Sequence, residues 1–142
     1  MTAQPARGML DTSTVILLGE LDDSSALPGE CVISAVTLAE LSVGPHVART
    51  ATERAARQAH LQQAEADFEA LAFDAVSARA FGRVAASLRQ AGRKPAARAY
   101  DALIAASAIA HNLPLYTCNP TDFIGIDALV VQAVPNPRQR RS

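Results

Sequence analysis

Four acidic side chains carry the chemical interest of this sequence: Asp11, Glu40, Asp101 and Asp122. Asp11 follows the apolar "GML" and precedes Thr12, Ser13 and Thr14. Glu40 lies inside the apolar "VTLAELSVG". Asp101 opens "DALIAASAIA", and Asp122 follows "TCNPT". Each has an ordinary structural explanation. Asp11 can cap a helix, for about 1 kcal/mol. Asp101 falls in a first helical turn, where the dipole favours it by about 0.3–1 kcal/mol. Asn119, Pro120 and Asp122 have the spacing of a capping arrangement. Glu40 can point to solvent; turned inward, it needs a cation or becomes neutral.

Taken as an ordered set, D…E…D…N-x-x-D, the four residues have a second reading. Each stands at the exit of a strand or early in the helix beyond it, so one rim can gather all four. Clustered carboxylates repel and raise one another's pKa unless a divalent ion sits among them. Hard oxygen donors favour Mg²⁺ or Mn²⁺ over zinc.

The elements that would position them follow from the hydrophobic pattern. "GML" is a short strand and Cys31 to Ile33 a second, with Ser34 as a cap. Val36 to Val43 reads as helix, stopped by Gly44-Pro45. From Thr50 to Ala72, Leu61, Ala64, Phe68 and Leu71 recur at helical spacing. "LAFDAV" is a third strand. Val76, Ala80, Val84 and Leu88 mark a helix ended by Gly92 and Pro95, and the next helix runs from about Ala97 to Asn112. "LPLYTC" and "LVVQAV" are the fourth and fifth strands. Strands alternating with helices predict a small parallel sheet flanked by helices. In such folds ligands bind beyond the carboxyl ends of the strands. The 142 residues suit one domain, with residues 1–7 and 136–142 as loose ends.

Composition excludes several classes. Apolar residues make up 49 % and charged residues 19 %, so the chain should fold. Net charge is −1, so RNA binding would rely on local arginines or bound cations. Lys94 is the single lysine, and neither a GxxxxGK[ST] loop nor a GxGxxG stretch after a strand exists. A receiver-like phosphoacceptor, which needs a positioned lysine, is disfavoured. Cys31 and Cys118 form no disulfide framework and read as small apolar side chains in a reducing compartment. With no signal-like or membrane-spanning run, the expected location is the cytoplasm.

The quoted segments, with "LDTST" and "AYDALIAASAIAHNLPLYTCNPTDF", resemble the PIN-domain family, specifically VapC-type toxin ribonucleases, from about Met9 to Val134. The resemblance implies a three-layer α/β/α fold and a ribonuclease using Mg²⁺, or Mn²⁺ in its place. Its acidic residues would be Asp11, Glu40, Asp101 and Asp122. Ser13 would touch a phosphate or a metal-bound water, with Thr12, Thr117 and Asn119 as further substrate-side or supporting positions. Many members carry aspartate where this chain has the neutral Asn119. The resemblance also implies a VapB-like antitoxin partner, a toxin homodimer and a toxin–antitoxin hetero-oligomer.

Hydrolysis by such a site would leave a 3′-hydroxyl and a 5′-phosphate. A metal-free ribonuclease would instead need a His, Lys or Glu pair, and His46, His60 and His111 are scattered surface positions. Arg49, Arg54 and Arg57, and Arg89, Arg93, Lys94 and Arg98, read either as RNA contacts or as solvated helix faces. Arg138, Arg140 and Arg141 read as a soluble end. Aromatic residues are 4 %, so recognition by shape and phosphate is expected over base stacking. The alternative is a non-catalytic interaction module whose carboxylates are structural caps.

Overall fold

The structure, a computed structural model, describes residues 6–139. Its strands are β1 (Arg7–Leu10), β2 (Glu30–Ser34), β3 (Glu69–Leu71), β4 (Leu115–Thr117) and β5 (Val131–Ala133). Its α-helices are α1 (Thr12–Leu17), α2 (Ala35–Val47), α3 (Ala51–Asp67), α4 (Ala75–Gln90) and α5 (Ala99–Ala110). The strands form one parallel sheet in the order β3-β2-β1-β4-β5.

Successive strand residues point to opposite faces, and the core divides accordingly. Met9, Val32 and Leu115 pack with Val84 and Leu88 of α4 and Ile104 and Ala108 of α5. Their neighbours Leu10, Ile33 and Tyr116 pack with Val15 of α1, Leu41 of α2 and Ala64 of α3. A sheet covered on both faces explains why its strands read as unbroken apolar runs. The result is the three-layer α/β/α arrangement expected from the sequence.

The chain winds outward through β1, β2 and β3, then returns to place β4 on the other side of β1. The carboxyl ends of β1 and β4 therefore flank the point where the winding reverses, where open parallel sheets form a crevice. Asp11 and Thr117 stand there.

Several boundaries differ from the sequence reading. Helix α2 continues through Gly44 and Pro45 to Val47. Proline crowds the Cβ of the residue before it, and glycine has none. Arg57 Nη1 also donates to the Gly44 carbonyl at 3.0 Å, capping the helix end. Strand β3 ends at Leu71, earlier than expected, because Asp74 caps α4 through the Ser77 amide and hydroxyl, both at 3.0 Å. Helix α5 begins at Ala99, after a 3₁₀ turn over Pro95–Arg98. Arg7, assigned to a loose end, opens β1 and pairs with Glu30 at 3.3 Å and Glu69 at 3.0 Å.

Gly8 is required by close packing. A Cβ there would lie 2.5 Å from Tyr116 Cε1 and 3.0 Å from Pro28 Cγ. Tyr116 is 1 % exposed, so its ring has little room to retreat. Gly8→Ala should cost about 1–3 kcal/mol by overpacking. Urea unfolding checks this, and an unchanged midpoint would mean that the ring shifts freely.

Candidate active site

Asp11 is the N-cap of α1 and is 2 % exposed. Its Oδ1 accepts the Thr14 amide at 3.1 Å and the Thr14 hydroxyl at 2.5 Å. Its Oδ2 accepts Ser13 Oγ at 3.1 Å and Thr117 Oγ1 at 2.8 Å. The two readings of Asp11, cap and rim carboxylate, are thus compatible. A buried carboxylate is tolerable because each oxygen meets two donors.

This arrangement continues through Asn119. Its Nδ2 donates to Ser13 Oγ at 3.0 Å, and its Oδ1 accepts Asn136 Nδ2 at 3.2 Å. The sequence suggested that Asn119 caps the following turn. The 3₁₀ turn Pro120–Phe123 has no side-chain cap, because both ends of the amide are engaged elsewhere. Thr12 donates instead to Thr37 Oγ1 at 3.1 Å, joining α1 to α2.

Glu40 projects from the middle of α2 and is half-buried. Among the described residues, its Oε1 is buried without a hydrogen-bond partner. Burial raises its pKa; the nearby Thr12 hydroxyl opposes the rise and the negative Asp11 adds to it. The solvent-facing explanation for Glu40 does not account for that orphaned oxygen.

Asp101 lies in the first turn of α5, and its carboxyl pKa is raised from 3.8 to about 6. Burial is the largest cause, followed by the negative charges of Asp122, Asp11 and Glu40, against the lowering effect of Arg98. Arg98 Nη1 stands 3.6 Å from Asp101 Oδ2 and 3.1 Å from Asp122 Oδ1. The four carboxylates share one rim and one electrostatic field. Even so, among the described residues no three acidic, histidine or cysteine side chains are gathered closely enough to hold a metal ion as they stand.

The donor set still suits a hard divalent cation in kind. It is made of carboxylate oxygens, one of them buried and unsatisfied.

Basic residues flank the carboxylates on two sides. Arg93, Lys94 and Arg98 line a cleft with Asp101, Asp122 and Ile126. Arg57 and His60 line another with Thr12, Glu40 and Gly44. Part of this charge is structural: Arg57 caps α2 and Arg93 donates to the Ile124 carbonyl at 2.5 Å. His111 faces the Ala72 carbonyl at 3.1 Å. Cys31 and Cys118 are unpaired thiols, the latter buried.

Sequence reasoning passed over two supporting residues. Thr14 is fully buried; its hydroxyl donates to Asp11 and accepts the Cys118 amide at 3.0 Å, tying β4 to α1. Its signal was present as a hydroxyl three residues after a capping aspartate. Asn136 had no local signal, since its partner lies 17 residues away. Arg138, read as a soluble end, makes a paired contact with Glu20 at 3.1 and 2.6 Å. Arg140 and Arg141 lie outside the described residues.

The fold and this rim define a PIN domain: the chain belongs to that family, whose model matches residues 9–128. Among individual proteins, it is 39 % identical over 129 residues to Ribonuclease VapC5 of Mycobacterium tuberculosis, covering 89 % of this chain and 93 % of that protein. It is similar to the crystal structure of VapBC-5 from the same organism, a member of the VapBC family of toxin–antitoxin systems. That match has a TM-score of 0.78 at 36 % identity, over 92 % of this chain and 100 % of the other. VapBC2 from Rickettsia felis, bound to a DNA fragment from its promoter, matches with a TM-score of 0.71 at 27 % identity, over 90 % and 98 % of the two chains. Among the described residues, no helix is long and apolar enough to cross a membrane.

Proposed function

We propose that the chain is a toxin ribonuclease of a VapBC-type pair, a single PIN domain that hydrolyses RNA phosphodiesters with a divalent cation, Mg²⁺ or Mn²⁺. The observation that carries this is Glu40 Oε1, buried without a hydrogen-bond partner among the described residues on the rim it shares with Asp11. A glutamate serving only as a solvated helix residue has no reason to bury that oxygen.

Asp11, Glu40, Asp101 and Asp122 would hold the cation. When bound, it supplies Lewis acidity toward the phosphodiester and acidifies an attacking water. Ser13, Thr14 and Thr117 fix the Asp11 carboxylate, and Asn119 fixes Ser13 in turn. Lys94 and Arg93 offer positive charge to the RNA backbone along their cleft. The similarity to VapBC toxin–antitoxin structures supports a VapB-like antitoxin as partner. We place the protein in the cytoplasm, as a toxin homodimer within a toxin–antitoxin hetero-oligomer.

The test is cleavage of labelled RNA by the purified chain. Cutting should require Mg²⁺ or Mn²⁺, stop with chelator, and leave 5′-phosphate ends. Cyclic phosphate ends, or cleavage indifferent to chelator, would contradict the reading. No cleavage and no Mn²⁺ binding would favour the interaction module instead.

A further inference from the structure

Arg98 occupies an unusual place for a basic side chain. It is the N-cap residue of α5 but makes no side-chain cap, ending the 3₁₀ turn that leads into the helix. A single nitrogen, Nη1, serves Asp101 and Asp122 together. The Arg98 side chain is 54 % exposed while both carboxylates are 24 % exposed. The guanidinium therefore reaches the pair from the solvent side and can leave the same way.

A guanidinium and a divalent cation at the same two carboxylates repel each other. Their occupancies are therefore mutually opposed.

We propose that Arg98 is a displaceable internal counter-ion, which holds Asp101 and Asp122 while the rim lacks a divalent cation and competes with that cation for them. The proposal rests on reading the rim as a cation site. It gives Arg98 a specific positioning role: setting how readily the site loads. A general contribution to positive surface charge would not do this. Lys94, on the same cleft, carries the same charge and pairs with neither carboxylate.

Mn²⁺ binding to the full chain, followed by the loss of the free-ion electron paramagnetic resonance signal, tests this in wild type, Arg98→Ala and Lys94→Ala. Arg98→Ala should bind Mn²⁺ about five- to tenfold more tightly, and Lys94→Ala should change by less than about twofold. Thermal unfolding gives a second measurement. Without divalent ions Arg98→Ala should melt below wild type, and saturating Mn²⁺ should close that gap. Equal gains in the two variants, or no gain in Arg98→Ala, would overturn the counter-ion role while leaving the cation site standing. Absence of Mn²⁺ binding in all three proteins would overturn the site and the counter-ion role together.

Discussion

Asp11→Asn folds but cuts RNA at least about a thousandfold more slowly, a loss of about 4 kcal/mol in transition-state stabilisation. The carboxylate of Asp11 is met by three hydroxyls and one amide N–H. An asparagine of the same shape keeps one acceptor oxygen, so the helix cap survives. The other position becomes an N–H₂ group, to which the hydroxyls can adjust by rotating. The structural cost should therefore be about 1–2 kcal/mol. The negative charge is lost outright, and with it a ligand of the proposed divalent-cation site. Asp11→Ala is the informative contrast: it strands several buried donors and should cost about 2–4 kcal/mol. Single-turnover cleavage together with urea unfolding separates the two losses. Wild-type cleavage by Asp11→Asn would remove this residue from the chemistry.

Asp101→Asn should remove part of the pH dependence of stability. The Asp101 carboxyl is raised from 3.8 to about 6 in the folded chain. Between those values the folded form holds a proton that the unfolded form releases. Stability contributed through this group is therefore present at low pH and lost as pH rises from about 4 through about 6. The full loss is of order 1–3 kcal/mol without a divalent cation. Glu20, Asp23 and Asp74 have lowered pKa values and act in the opposite sense. The measurement is thus the difference between wild type and Asp101→Asn, by urea unfolding in chelator from about pH 4 to about pH 7.5. The variant should gain on wild type across the lower part of that range and then run parallel. With saturating Mg²⁺ the wild-type trend should reverse, since cation binding favours the ionised carboxylate. A constant difference at all pH values in chelator would show that burial and the neighbouring carboxylates do not raise the Asp101 pKa.

Much of this was readable from the sequence because it was encoded locally. Met9-Leu10, Val32-Ile33 and Leu115-Tyr116 declare a sheet covered on both faces, since neighbouring positions are both apolar. Gly92 ends α4 as read: its φ of +77° and the Arg93 amide bond to the Leu88 carbonyl at 2.8 Å close the helix. The acidic set was visible through its relation to those elements. What the sequence could not display were relations between distant segments. Arg98 was one basic residue among several, and only the approach of the Pro120–Phe123 turn to α5 makes it a bridge. Pro45 read as a stop because the local rule is strong, yet Gly44 before it has no Cβ for the proline to crowd, and Arg57 from α3 satisfies the Gly44 carbonyl at the helix end. Asn119 looked like a cap until Asn136 and Ser13 claimed its two ends.

The path of the chain beyond β5 bears on how the protein can be handled. All five strands run the same way, so Arg7 opens β1 among the amino ends of the strands, and Asp11 stands just beyond its carboxyl end. The opposite end of the chain turns back over the rim, where Asn136 meets Asn119 and Arg138 grips Glu20. Labels or substitutions placed at Asn136 would therefore disturb the hydrogen bonds that run through Asn119 and Ser13 to Asp11, whereas the same changes at Arg7 would disturb its ion pairs with Glu30 and Glu69.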